Sequence, residues 1–177
     1  MEPLYERGSL TNVTHMVNLA SLYLMHDIPI KAARLLDDEL ESERLEATQR
    51  NLDMLAQAWL LSGHPDRAVD PMQSAARLDE DGRGYMNLAR TYMSLLRWKE
   101  AEESVRQALK KGGLRSVGDA RLMLGMAQFN QKNFRDARRA FAQAGQEPKT
   151  EKLARQWLAY LEREEANQAL AREVGLE

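Results

Sequence analysis

The side chains able to do chemistry in this sequence are few, and their spacing does not assemble them. The three histidines, His15, His26 and His64, show no His-Glu-x-x-His or comparable ligand spacing. His15 and His26 could share a helix face, but no third ligand lies near them in sequence, so no metal site is expected. Cysteine is absent, which removes disulfides and thiol nucleophiles and suits either a reducing or an oxidising compartment. No Gly-x-Ser-x-Gly elbow, dinucleotide fingerprint or nucleophile pair occurs. Gly112 and Gly113 could suggest a phosphate loop, but the Gly-x4-Gly-Lys-Ser/Thr spacing is missing, and a turn is the better reading. No catalytic residue and no cofactor are expected. What remains for function is binding, carried by arginines and flexible methionines placed on helices.

Those helices announce themselves by periodicity. Arg121 to Phe129 and Phe134 to Ala144 place apolar residues three and four apart around Gly125 and Ala137, with a polar turn from Asn130 to Asn133. The same pattern surrounds Ala20 and Ala32, Ala56 and Ala68, and Ala89 and Ala101. In all four cases the two small residues lie 12 positions apart, and successive hairpins repeat after 36, 33 and 36 residues. Two helices cross closely only where both carry small side chains, and one such hairpin cannot bury its apolar face alone. Large residues sit at fixed offsets before and after the first small one: Met16 and Tyr23, Leu52 and Trp59, Tyr85 and Tyr92. This arrangement resembles the tetratricopeptide repeat, a helical pair of about 34 residues. Arg121 and Gln128 depart from the family preference for Trp and Tyr at their positions. The expected fold is all-α: a right-handed TPR-type helical-hairpin superhelix, an α-solenoid, closed by a C-terminal capping helix.

Composition agrees. The chain of 177 residues carries 25 basic and 27 acidic side chains, and its formal charge of -2 gives no electrostatic drive toward nucleic acid. No apolar run reaches the roughly 18 residues that span a bilayer, and no alternating Val/Ile/Thr run signals a strand. Residues 1–10 resemble the end of a preceding helix or a truncated repeat, closed by Gly8 as Gly112 and Gly113 close a later one. This leads us to expect a chain cut from within a longer array, with a short natural leader as the alternative. Its first residues are acidic and do not resemble a signal peptide. Residues 11–148 hold four hairpins and residues 149–177 one long capping helix. Asp27 is expected to cap the second helix of the first hairpin and Pro29 to open it. The run Asp37-Asp38-Glu39-Leu40-Glu41 reads as a solvated acidic face, with Glu39 loosening the packing at that hairpin's far end. Pro71 should bend the helix that contains it. Residues Gly112 to Gly118 read as the longest linker, and Arg135, Arg138 and Arg139 as a solvated basic patch. In the last helix, Leu153, Trp157, Tyr160 and Leu161 form the stripe that should cover the fourth hairpin, with Leu158 beside it.

Tetratricopeptide arrays line an inner groove with residues six and three before the first small residue, and one and four after it. Here those residues are Thr14, Val17, Ser21 and Leu24; Arg50, Asp53, Gln57 and Leu60; Arg83, Met86, Arg90 and Met93; and Asp119, Leu122, Met126 and Phe129. The resemblance therefore implies a groove that is polar at one end and rich in Met, Leu and Phe at the other. The candidate partner-binding residues are Arg50, Arg83, Met86, Arg90, Met93 and Met126. Met86 and Met126 have packing between hairpins as an equal alternative, and Leu122 and Phe129 read as core. Chaperone adaptors in the family hold a C-terminal carboxylate with a Lys/Asn/Arg clamp. Val17 and Ser21 stand where its first Lys and Asn would be, so that role is not expected.

A narrower resemblance rests on Asn51 to Trp59, on Lys111 to Leu114 with Gly118 to Ala120 and Leu124 to Ala127, and on Ala154 to Glu162. These stretches are similar to the C-terminal part of a bacterial tetratricopeptide protein associated with TonB, ExbB and ExbD. That resemblance implies a longer secreted precursor, a periplasmic location and a protein-protein interaction scaffold acting as an accessory to TonB-dependent energy transduction or transport. The alternative is a general cytoplasmic tetratricopeptide adaptor that binds peptide segments. Both take a protein or peptide partner, with no nucleic acid and no membrane insertion.

Overall fold

A computed structural model describes residues 13–173. The segment read above as a truncated repeat lies outside them. Every regular element among the described residues is helical: α1 (Val13–Met25), α2 (Pro29–Glu41), α3 (Gln49–Leu61), α4 (Pro65–Leu78), α5 (Arg83–Ser94), α6 (Trp98–Lys111), α7 (Val117–Asn130), α8 (Phe134–Ala144) and α9 (Glu151–Glu173). They pair in sequence as four hairpins followed by one longer helix. The chain divides into two compact units, Met1–Glu80 and Asp81–Glu177. The first holds α1–α4 and the second α5–α9.

The small residues do what their spacing demands. Ala32, Ala68, Ala101 and Ala137 have no exposed surface, and Ala20, Ala56, Ala89 and Gly125 are buried opposite them. At Gly125 the approach is closest, for a Cβ there would stand 2.5 Å from the Phe141 ring. Each hairpin turn is built alike. The seventh residue after the first small one has a positive φ: Asp27 at 56°, Gly63 at 78°, Leu96 at 58° and Lys132 at 63°. The next backbone N–H then reaches the carbonyl five residues back, Ile28 to Tyr23 at 2.8 Å, and His64 to Trp59, Arg97 to Tyr92 and Asn133 to Gln128 at 2.9 Å. This closes the helix end as a Schellman turn does. Asp27 is thus the left-handed residue of the turn and does not cap α2, whose N-cap Ile28 offers no side-chain bond. Only one of the four turns has glycine where the backbone favours it. Leu96 is exposed, and its left-handed backbone costs about 1–2 kcal/mol. Leu96→Gly should therefore raise stability by about 0.5–1 kcal/mol after glycine's own entropy is counted; a lower urea midpoint would refute this.

Three further expectations need correction. Glu39 is not on a solvated face. It is fully buried, and its carboxylate receives Arg44 Nε at 2.8 Å and Nη2 at 2.7 Å, a bidentate pair from the following loop. Val117 and Gly118 belong to α7 rather than to a linker, because Ser116 caps that helix by accepting the Asp119 N–H at 3.0 Å. The covering stripe of α9 is Ala154, Trp157, Leu158 and Leu161, which pack on Phe141, Ala137 and Ala144 of α8 and Leu122 and Phe129 of α7. Leu153 is about half exposed and off the stripe; Tyr160 is half exposed too, but its ring packs at the stripe's edge, 5.2 Å from Phe129 and 5.9 Å from Trp157, as the sequence led us to expect. The basic patch is solvated, with Arg135 and Arg139 exposed and Arg138 partly so, but it is not a set of free cations: Arg138 pairs with Glu162 at 3.3 Å and Glu165 at 2.5 Å on α9. Arg139 pairs with Asp136. The helix α4 continues through Pro71 from Pro65 to Leu78.

At the α6–α7 contact a polar network replaces the aromatic that the family prefers at position 128. Buried Gln128 donates from Nε2 to Glu102 Oε1 at 2.9 Å, and Gln131 donates to Glu102 Oε2 at 2.7 Å. Arg106 adds a third bond at 2.7 Å. Gln128 Oε1 has no hydrogen-bond partner. Burial pushes the Glu102 carboxyl up, but the bonds from Gln128, Arg106 and Gln131 outweigh it and hold the group below the ordinary glutamate range. A depressed carboxylate stabilises the fold above its unfolded pKa, and that contribution is lost as pH falls through the folded one. Wild-type stability should therefore decline below the ordinary glutamate range more steeply than that of Glu102→Gln. Parallel pH profiles of the urea midpoint would contradict the network.

Candidate functional site

Each unit carries one open groove among the described residues that deserves description, and both grow from the first helix of a hairpin. In the second unit, Arg83, Met86, Asn87 and Arg90 share one face of α5 because they are three, four and seven residues apart. Opposite them stand Leu114, Arg115 and Ser116 from the loop before α7, and Asp119 from its first turn. The space they enclose is about 390 Å³. Asp81 fixes the α5 end of this groove. Its carboxylate accepts the Arg83 backbone N–H at 2.9 Å and Arg83 Nε at 2.7 Å. The Arg83 backbone N–H is the main reason that the Asp81 carboxyl lies below its usual range. Asp81 thus accepts a backbone N–H at the start of α5, although the N-cap residue itself is Gly82. Arg90 Nη1 donates to Asn87 Oδ1 at 2.9 Å, a neutral partner that leaves the guanidinium charge uncompensated. Arg115 is exposed.

In the first unit, Arg50, Asp53 and Gln57 of α3 face Ser21 and Leu24 of α1 across an opening of about 480 Å³, with Met54 between them. Ser21 Oγ donates to the Val17 carbonyl at 2.9 Å, and Met54 Sδ lies 3.9 Å from it. Burial, and then the charge of Asp79, raise the Asp53 carboxyl above its usual range. The exposed lining of this groove is more apolar than polar, where its residue types had implied a polar end.

The structure brings Arg83, Met86 and Arg90 together, and Arg50 into the other groove. Met86 is only 6% exposed and belongs to a core cluster with Ala89, Val105, Ala108 and Leu124, so it is the groove's floor rather than a free side chain. Met126 is half-buried against the core cluster that Leu122 and Phe129 of α7 and Phe141 of α8 share with Ala154 and Leu161 of α9. Met93 is also half-buried, and neither it nor Met126 lines a groove. Leu122 and Phe129 are core. Sequence reasoning missed Asn87, Leu114, Arg115 and Ser116. Asn87 sits one position after Met86 and could have been found from the α5 face. Arg115 lies in a loop, where helical offsets give no signal. The histidines are exposed, and no group of three potential ligands is close enough to hold a metal among the described residues. No helix among them is long and apolar enough to cross a membrane.

No known family profile matches the chain, and no curated protein matches it. Solved structures do. MamA from Desulfovibrio magneticus RS-1 is similar at 17% identity with a TM-score of 0.66, over 91% of this chain and 89% of that one. YrrB, described as a TPR protein with an unusual peptide-binding site, is similar at 17% identity and a TM-score of 0.67, over 94% and 83%. The second TPR domain of human RPAP3, solved with an HSP70 peptide, is similar at 20% identity and a TM-score of 0.55, over 63% and 92%. Such identities establish architecture alone. With the repeated small-residue crossings and the common turn, they give this chain the tetratricopeptide-type fold.

Proposed function

We propose that the chain is a non-enzymatic scaffold that binds protein segments, and that the groove of α5 and α7 holds an extended one through a carboxylate side chain. The observation that carries this reading is the set Arg83, Arg90 and Arg115 lining one open groove floored by Met86. Apolar contact with the floor and with Leu114 would supply affinity, and the guanidiniums would select carboxylates by paired hydrogen bonds. Folds of this type commonly act as scaffolds, and two of the similar structures are described with a peptide or a peptide-binding site. Arg50 in the other groove is a second contact point. Met93 and Met126 drop out because they line neither groove.

The partner we favour is an envelope protein of TonB-dependent transport, met in the periplasm. This rests on the residues around Asn51 to Trp59, Lys111 to Ala127 and Ala154 to Glu162 alone. Fractionation of the native host that finds the protein wholly in the cytoplasm would favour the general adaptor instead. Binding itself is tested by selecting peptides from a random display library. Selected sequences should each carry an acidic residue, and Arg90→Glu with Arg115→Glu should weaken them at least about tenfold while flattening the salt dependence. Equal binding by the folded double variant would move the site elsewhere.

A further inference from the structure

The charges around the second unit's groove do not simply add up to a basic patch. Arg83, Arg90 and Arg115 contribute three cations. Asp81 engages Arg83 directly at 2.7 Å, and its lowered pKa keeps it ionised, so that pair is already neutral. Asp119 lines the same groove from the first turn of α7, and its carboxylate has no ion-pair partner among the described residues. Its backbone N–H donates to Ser116 Oγ at 3.0 Å, which fixes the residue in the first turn of α7 beside the groove. Among the lining side chains two cations remain, Arg90 and Arg115, set against one anion, a surplus of one positive charge on the lining itself. The Glu147 carboxylate, 3.4 Å from Ser116 Oγ, adds to the negative side next to Asp119.

Resting on the reading of this groove as a peptide site, we propose that it accepts one carboxylate from its partner, and that Asp119 is the specificity-determining residue that rejects a second. A lone acidic side chain finds Arg90 and Arg115. A second acid close by in the same segment meets Asp119 as a like charge, a repulsion that is strongest at low salt. A basic or amide side chain in that position meets Asp119 favourably. The partner is therefore a segment with an isolated acid followed by a basic or amide residue, and not an acidic run. The distinction matters because three arginines viewed without their neighbours would suggest the opposite.

Three blocked peptides separate the possibilities: acetyl-Gly-Ala-Glu-Leu-Lys-Gly-amide and its variants with Gln or Glu in place of Lys. Titrated into the intact chain at low salt, the Lys peptide should bind tightest and the double-Glu peptide weakest, with about fivefold between successive peptides. Asp119→Asn should leave the helical circular dichroism unchanged, weaken the Lys peptide, and bring the double-Glu peptide level with it or above. The proposal is overturned if wild type binds the double-Glu peptide as well as the Lys peptide, or if Asp119→Asn leaves the ranking intact. Failure of the groove reading looks different. In that case none of the three peptides responds to Arg90→Glu with Arg115→Glu, whatever Asp119 does. If the arginine variant abolishes binding while the ranking ignores Asp119, the groove stands and only the role of Asp119 falls.

Discussion

Phe141→Ala should cost about 3–5 kcal/mol and release the C-terminal helix before the rest of the second unit unfolds. The Phe141 ring has no exposed surface. It lies under Gly125 of the facing helix, and it stacks on Trp157 of α9 with centroids 5.3 Å apart and planes 13° from parallel. It therefore touches both partners that α8 must hold, its own hairpin mate and the covering helix. Removing it opens a void that neither neighbour can fill, because Gly125 has no side chain and Trp157 is fixed edge-on to Phe129 at 5.9 Å. Beyond Leu161, α9 is held mainly by exposed ion pairs, Lys132 with Glu164 and Arg138 with Glu162 and Glu165. Each such pair contributes only about 0.2–1 kcal/mol. They cannot keep α9 in place once its apolar half has lost its support. Leu153→Ala is the contrasting variant, since Leu153 is 46% exposed and off the covering stripe; its cost should stay under about 1 kcal/mol. Hydrogen exchange along α9 reads the difference. Equal loss of protection in the two variants would mean that α9 is anchored by the stripe first expected from the sequence.

That stripe shows where the sequence is legible and where it is not. The hairpins could be placed from the small residues alone, since a 12-residue spacing between Ala or Gly leaves no other pair of surfaces that can cross so closely. All eight positions are buried. Trp157, Tyr160 and Leu161 are legible because large apolar side chains mark a covering face, and all three pack on the fourth hairpin. Ala154 is not, for its small side chain carries no such mark, yet it is fully buried while Leu153 beside it is about half exposed. The burial of Glu39 and the pairing of Arg138 are illegible in the sequence for a related reason. Composition marks such residues as solvated, but their partners, Arg44 and Glu165, lie in a loop and on another helix, and only folding brings them together. Half of the groove followed from α5, whose face is fixed by helical geometry. The other half, Arg115 and Ser116, comes from a loop without periodicity. Met126 was assigned to a groove by an offset that holds for an open hairpin. Here the core that α9 shares claims Met126, and the same offset leads into packing.

Gly82→Ala should lower the stability of the second unit by about 3 kcal/mol, the upper end of what overpacking usually costs, although it adds one methyl group. The backbone at Gly82 is ordinary, with φ at -80°, so conformational strain is not the cause. The cause is space. An added Cβ would stand 2.2 Å from the Ala108 carbonyl oxygen and 2.9 Å from its carbonyl carbon and Cα. Backbone cannot swing aside as a side-chain tip can. The Ala108 carbonyl is moreover committed, accepting the Gly112 N–H at 3.0 Å, and Gly112 in turn accepts the Gly82 N–H at 2.8 Å. Relieving the clash means moving the start of α5 away from the end of α6 and breaking that ring of bonds. Gly118→Ala makes a useful comparison, because its Cβ would press on the Thr150 and Glu147 side chains, which have more freedom to move. The displacement at Gly82 also reaches the groove. Arg83 is the next residue, and the Asp81 carboxylate that pairs with it spans the glycine. A variant forced to fold by added osmolyte should therefore bind the selected peptides more weakly than wild type. Urea unfolding tests the first effect, and peptide titration in osmolyte tests the second. A loss of less than about 1 kcal/mol would show that α5 and α6 can separate by the needed distance without cost, and that the close contact at Gly82 does not set the geometry of the groove.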